Sequence, residues 1–174
     1  QVLSSAASDV YKRQVTDERI MISPDGGQTW SMGLNSNGGN LIGRFRDIEF
    51  KPNNPNVLYA VKQTTGSSEV YKSTDRGITW IPSNNGITQV NRNRPLIAVT
   101  PANPDVVYVL FCKNDYSLHG LYKSTDSGDN WVLQSDSPNI LGRSTDGTST
   151  GGQSWYDLSP VSYTHLTLPT TTPV

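Results

Sequence analysis

The sequence predicts an all-β fold of repeated four-stranded units, and three observations carry that prediction. Short alternating runs recur, among them RDIEFKP, VLYAVKQ, LIAVTP and VVYVLFC, while no 3.6-residue periodicity is sustained over a helix-length window. The chain is rich in Gly, Pro, Asn, Ser and Thr, the residues that make turns. Above all, one eight-residue stretch occurs three times: SPDGGQTW at 23–30, STDRGITW at 73–80 and STDSGDNW at 124–131. Their aspartates, Asp25, Asp75 and Asp126, are 50 and 51 residues apart.

A second motif keeps step with the first. KPNNPNVLYA at 51–60 and TPANPDVVYV at 100–109 are offset by 49 residues, and two independent motifs sharing one period define a structural repeat. Each full period reads as four strands. The first is RDIEFKP or PLIAVTP, the second NVLYAVKQ or DVVYVLFC, the third EVYKS or GLYKS, and the fourth TWIPS or NWVLQ. Four short antiparallel strands in about 50 residues make one blade of a β-propeller. The expected array is incomplete: 15–33 supplies the outer half of one blade, 35–82 and 84–133 two whole blades, and Trp155 begins another.

The eight-residue stretch then joins third and fourth strands. Asp75 can accept hydrogen bonds from N–H groups of its own turn, and Gly77 can take the positive φ that a tight turn requires. Ser73 and Thr79 offer hydroxyls to the backbone, and Trp80 re-enters the strand with a large ring to bury. This reading makes the motif architectural; the competing one makes its aspartate a metal ligand or a catalytic acid.

These residues resemble the Asp-box, or bacterial neuraminidase repeat, of pattern Ser-x-Asp-x-Gly-x-Thr-Trp. Ser23, Asp25, Gly27, Thr29 and Trp30 fit it, as do Ser73, Asp75, Gly77, Thr79 and Trp80. The third copy keeps Ser124, Asp126, Gly128 and Trp131 and carries Asn130 in place of threonine. The resemblance implies a propeller. It leaves function open among sialidases, xyloglucan-cleaving hydrolases, sortilin-like receptors and large secreted bacterial repeat proteins, and it implies a secreted or cell-surface location. The layout, with its GGQSWYDLS tail, is most similar to the last group.

The two ends stand apart from this pattern. One permissible coding of Gln1–Gln14, reverse-complemented and read in a shifted frame, spells Val161–Pro173. Two peptides so related are one DNA string read on both strands, and that string resembles a sequencing-library adapter. Residues 1–14 and 160–174 are therefore expected to be translated adapter flanking a native segment, 15–159, and to stay clear of the sheets. The native segment holds 12 basic and 14 acidic residues, a balance that points away from nucleic acid or a membrane surface. Cys112 is the sole cysteine; it reads as a buried thiol and cannot form an internal disulfide.

Because the repeated residues serve the fold, function is expected in what does not repeat. Propeller geometry puts the loops 35–47, 63–68, 83–95, 112–120 and 135–157 on one face, opposite the Asp-box turns. They offer Arg44, Arg46, Asp47, Arg92, Arg94, Tyr116, His119, Trp155, Tyr156 and Asp157 as binding candidates. Arginines before the first strands suit bidentate recognition of a carboxylate, or are simply solvated loop residues. Trp155 and Tyr156 suit stacking on a sugar ring, or packing at the start of a next blade. No metal-ligand spacing and no cofactor motif is present.

The expected role is a non-catalytic module that binds glycan or protein through this loop face, completed by further blades of a parent propeller. A glycoside hydrolase is the alternative. A sialidase needs an arginine triad, a tyrosine–glutamate pair and an acidic proton donor, of which only loose arginines are visible. A general hydrolase needs two carboxylates about 5–10 Å apart, and Asp47 and Asp157 precede first strands two blades apart.

Overall fold

The computed structural model describes residues 2–3, 11–88 and 90–155, and every regular element among them is a strand. The strands are β1 (Val2–Leu3), β2 (Lys12–Val15), β3 (Ile20–Ser23), β4 (Ser31–Met32), β5 (Leu34–Asn35), β6 (Arg44–Phe50), β7 (Leu58–Gln63), β8 (Glu69–Ser73), β9 (Thr79–Pro82), β10 (Asn93–Val99), β11 (Val107–Cys112), β12 (Leu118–Ser124) and β13 (Val132–Ser135). They form three sheets, ordered β1-β2-β3-β4, β5-β9-β8-β7-β6 and β10-β11-β12-β13. Within each blade the neighbours are antiparallel, as the fourfold reading of the period requires.

The sheets stack through alternating side chains. In β7, Leu58 and Ala60 join Val15, Ile20, Phe45, Ile48, Phe50, Tyr71 and Trp80 in a core shared with the first sheet. The intervening Tyr59 and Val61 face the other way, joining Val70, Ile97, Val107, Val109, Phe111, Tyr122 and Trp131 in a core shared with the third. A strand covered on both faces has to be apolar at successive positions, which is why LYAV reads as a continuous run.

The three turns fold as the repeat demands. Ser73 Oγ donates to Asp75 Oδ1 at 2.8 Å and accepts the Gly77 N–H at 2.8 Å. The Thr79 N–H and hydroxyl donate to the two oxygens of Asp75 at 2.8 and 2.6 Å. Asn130 explains how the third copy tolerates its departure: its Nδ2 donates to Asp126 Oδ2 at 2.6 Å, in place of the hydroxyl. Trp80 and Trp131 are buried, whereas Trp30 is 39% exposed.

Two features differ from the sequence expectation. The strip Leu34–Asn35 runs parallel to β9, with Leu34 opposite Thr79 and Asn35 opposite Trp80, so each linker lies along the following turn. The segment 1–14, expected to stay clear of the sheets, does not do so at 2–3 or 12–14: Val2 and Leu3 pair with Val15 and Gln14, and Lys12, Arg13 and Gln14 pair with Ser23, Ile22 and Met21. Backbone pairing asks little of side chains, and β3 presents an open edge for any extended segment to join. Arg13, moreover, stands at the register of Tyr59 and is buried, its guanidinium donating to the Arg76 carbonyl. Residues 160–174 lie outside the described residues.

Candidate functional site

Contacts among the loops establish two opposite faces. On one, Lys51 at the end of β6 reaches Asp105 and Ser127 at 2.6 Å each, and Arg76 bonds Asn56. The Asp-box turns and the NPN/NPD turns therefore lie together. On the other, Ser67 bridges Arg92, the Asn91 N–H reaches the Gly66 carbonyl, and the Gly152 N–H reaches the Asp115 carbonyl. This second face gathers the non-repeating loops.

A polar relay crosses the inner ends of the blades on that face. Asp17 accepts from Arg44 Nε at 3.0 Å and lies 3.7 Å from Arg46. Arg46 Nε donates to Gln63, Gln63 Nε2 to Asn93 at 2.8 Å, and Asn93 Nδ2 to Asn114 at 3.0 Å. The Arg44 hydrogen bond holds the Asp17 carboxyl below its ordinary value, while burial and the neighbouring cations Arg44 and Arg94 lower the Arg46 guanidinium. Arg44 and Arg46 are thus engaged with Asp17, which the sequence reading did not single out.

The second group is open. Arg94 Nη1 donates to the Trp155 carbonyl at 2.6 Å, and its guanidinium lies 5.8 Å from the Trp155 ring centroid. Tyr116 meets Trp155 edge-to-face at 5.4 Å. With Arg143, Gly152 and Gln153, these two rings line a cavity of about 550 Å³. Its walls are fixed by backbone: Ser154 Oγ donates to the Tyr116 carbonyl at 2.9 Å, and the Gln153 N–H to the Leu141 carbonyl at 2.8 Å. A β-carbon on Gly152 would lie 1.9 Å from the Tyr116 carbonyl oxygen, so only glycine lets the loop approach this closely. Trp155 keeps 45% of its surface exposed, and no acidic side chain lines the cavity among the described residues.

The remaining candidates are placed elsewhere. Asp47 is buried, accepting the Ile48 and Ile97 N–H groups at 2.9 and 3.2 Å; burial raises its pKa. Glu49, two residues along β6, is pushed up to about 7 by burial and then by the Asp47 charge. His119 is buried with Nε2 donating to the Val90 carbonyl at 2.8 Å, and burial lowers its pKa. Arg92 donates to the Ser68 carbonyl at 3.0 Å and covers the Phe111 ring. Tyr156 and Asp157 lie outside the described residues. Gln63, Gly152 and Gln153 carried no signal beyond their place in non-repeating loops.

Comparison with known proteins gives the same architecture. An ancestral GH74 enzyme matches 75% of this chain at 22% identity with a TM-score of 0.55. The GH74 xyloglucanase from Xanthomonas campestris matches 71% at 18% identity with a TM-score of 0.52. A variant of the NanB sialidase from Streptococcus pneumoniae matches 70% at 18% identity with a TM-score of 0.48. The chain spans 18% of the length of each of these three proteins, and the first two likenesses show the propeller fold. Among curated proteins, none matches the sequence. The family model described as sortilin, neurotensin receptor 3, matches residues 18–145, and the chain belongs to that Sortilin-Vps10 family.

Proposed function

We propose that this propeller segment is a non-catalytic binding module of a secreted or cell-surface bacterial protein, taking a glycan or protein ligand on its loop face. The cavity at Tyr116 and Trp155 carries the reading. Two aromatic rings offer faces and edges to a sugar or an apolar side chain, and Arg143, whose backbone N–H is held by Ser149 Oγ at 2.9 Å, offers its guanidinium to an acidic group. Arg94 braces the tryptophan from behind.

The hydrolase alternative draws on Glu49, whose raised pKa near neutrality suits a general acid. Its partner Asp47 sits two residues away on the same strand, buried and engaged with two backbone N–H groups. Two carboxyls so placed do not flank a scissile bond from opposite sides.

Binding to a panel of glycans and peptides, measured on the whole chain together with reducing-sugar release, tests this. Binding without turnover, lost on Trp155→Ala with the sheets intact, is the expected result. Turnover that disappears on Glu49→Gln overturns it in favour of the hydrolase.

A further inference from the structure

The strap that joins the second and third blades lies across Trp131. The Ser83 carbonyl accepts the Trp131 Nε1–H at 2.8 Å, and the Asn85 carbonyl accepts the Trp131 backbone N–H at 2.8 Å. Ser83 and Ile87 are buried at the two ends of the strap, and Asn85 and Gly86 stand exposed between them. The Asn84 carbonyl accepts the Ile87 N–H at 2.9 Å and Gly86 has φ +91°. The exposed pair is therefore the corner of a β-turn with glycine in its third place.

Asparagine is among the thermolabile residues. It is weakest before glycine, which carries no side chain to shield its backbone nitrogen from the preceding amide. The chain has two Asn–Gly steps, and the structure treats them differently. At Asn37–Gly38 the attacking group is tied down, since the Gly38 N–H donates to the Asn35 carbonyl at 2.9 Å. At Asn85–Gly86 the Gly86 N–H has no hydrogen-bond partner among the described residues.

We propose that Asn85 is a site of spontaneous covalent modification, and that the change loosens the strap over Trp131. The Gly86 nitrogen gives its proton to hydroxide and bonds to Asn85 Cγ. The Cγ–Nδ2 bond then breaks, and Nδ2 takes a proton from water and leaves as ammonia. The resulting five-membered imide adds one water and opens at either carbonyl, to an aspartate or an isoaspartate. Nothing is oxidised or reduced, and water is the only co-reactant.

Both products weaken the strap. Asn85 Nδ2 donates to Asn130 Oδ1, and that donor leaves with the ammonia. Asn130 itself donates through N and Nδ2 to Asp126 at 2.9 and 2.6 Å. An aspartate at 85 sets a carboxylate against the Asn130 acceptor, on the side chain that holds the Asp126 carboxylate. An isoaspartate adds a carbon to the main chain in a turn without room for one. A β-carbon on Gly86 would already lie 2.0 Å from the Trp131 carbonyl oxygen.

The test ages the whole chain at mildly alkaline pH and follows the tryptic peptides 77–92 and 20–44 by mass spectrometry, with fragmentation to locate the amide-to-acid change. In the folded chain Asn85 is expected to convert several-fold faster than Asn37, and in urea the two are expected to convert at comparable rates. An Asn37 that keeps pace with Asn85 in the folded chain overturns the site. So does a difference that persists unchanged in urea, which would owe nothing to the fold. Asn85→Asp, made directly, is expected to lower the urea unfolding midpoint and to speed proteolysis of the strap; a variant matching wild type in both overturns the loosening. Asn85→Gln keeps an amide donor but cannot close the five-membered ring. Its midpoint is expected to hold on ageing while the wild type's falls, and an equal fall in both overturns the assignment to Asn85.

Discussion

The Asp47 carboxylate accepts the Ile97 N–H at 3.2 Å and so joins the innermost strands of two consecutive blades. It also accepts the Ile48 N–H, and it is 8% exposed. Removing it strands two backbone donors. Asp47→Ala is expected to cost about 1–3 kcal/mol, while Asp47→Asn, which keeps one of the two acceptor oxygens, costs less. Urea unfolding midpoints of the two variants check this.

Glu49 sets a pH dependence. Its folded pKa, raised from 4.5 to about 7 by burial and by Asp47, lies above its unfolded value. Its contribution to stability is therefore complete below 4.5 and is lost as pH rises toward 7. The shift corresponds to at most about 2 kcal/mol after allowing for its partial exposure. Thermal unfolding followed across this range should show stability falling with pH in the wild type and a flatter profile in Glu49→Gln.

The Asp-box carboxylates work in the opposite sense. Bonds from Thr29 and Ser23 hold Asp25 at about 2, below its usual 3.8. At Asp75 burial opposes ionisation, yet the bonds from Thr79 and Ser73 outweigh it and hold its pKa low. Both contribute stability above 3.8 that is lost as pH falls. Asp75→Ala should cost about 1–3 kcal/mol, and Asp25→Ala less, because the turn it closes holds an exposed tryptophan rather than a buried one. Comparing the two variants by chemical denaturation decides the order.

Arg13 stands where Tyr59 and Tyr108 stand in the other sheets, and its guanidinium is lowered to about 10 by burial. A tyrosine at this position would fill the same slot without burying a charge. Arg13→Tyr is expected to hold or raise the melting temperature, and Arg13→Ala to lower it through a loss of about 1–3 kcal/mol of stability. If residues 1–14 are translated adapter, as the DNA relation at the two ends proposes, the arginine is an accidental tenant of a tyrosine's place.

At the cavity, Gly152→Ala must push the loop away from Tyr116, since the new carbon would lie 1.9 Å from its carbonyl oxygen. Ligand binding is expected to fall by a factor of ten or more, about 1.4 kcal/mol, with the unfolding midpoint of the sheets nearly unchanged. Arg44→Ala, by contrast, removes a group already paired with Asp17 and should leave binding close to wild type. Isothermal titration of both variants separates the cavity from the relay.

The fold was legible because its information is local and repeated. Ser73, Asp75, Gly77, Thr79 and Trp80 specify their own turn by hydrogen bonds within eight residues, and the period then places the strands. Leu34 and Asn35 escaped notice because a two-residue strip has no alternation to read, and its partner β9 lies 45 residues on. The site was legible only in outline. Trp155, Tyr116 and Arg94 were read as members of non-repeating loops, but their meeting depends on how loop 135–157 folds back, which no local pattern encodes. Asp47 misled for a related reason: a carboxylate at the start of a strand reads as a rim residue until the neighbouring blade supplies Ile97 to bury it.

The linker that runs along the following turn has a consequence for synthesis. Gly33 and Leu34 press on Trp80 and its turn, and Ser83 and Asn85 bond Trp131. In both cases the covering strip precedes the tryptophan in the chain. A nascent polypeptide therefore carries each lid out of the ribosome before the ring that it will cover. Every new hairpin closes onto a surface already laid down, and growth in the direction of translation leaves one unsealed blade at a time.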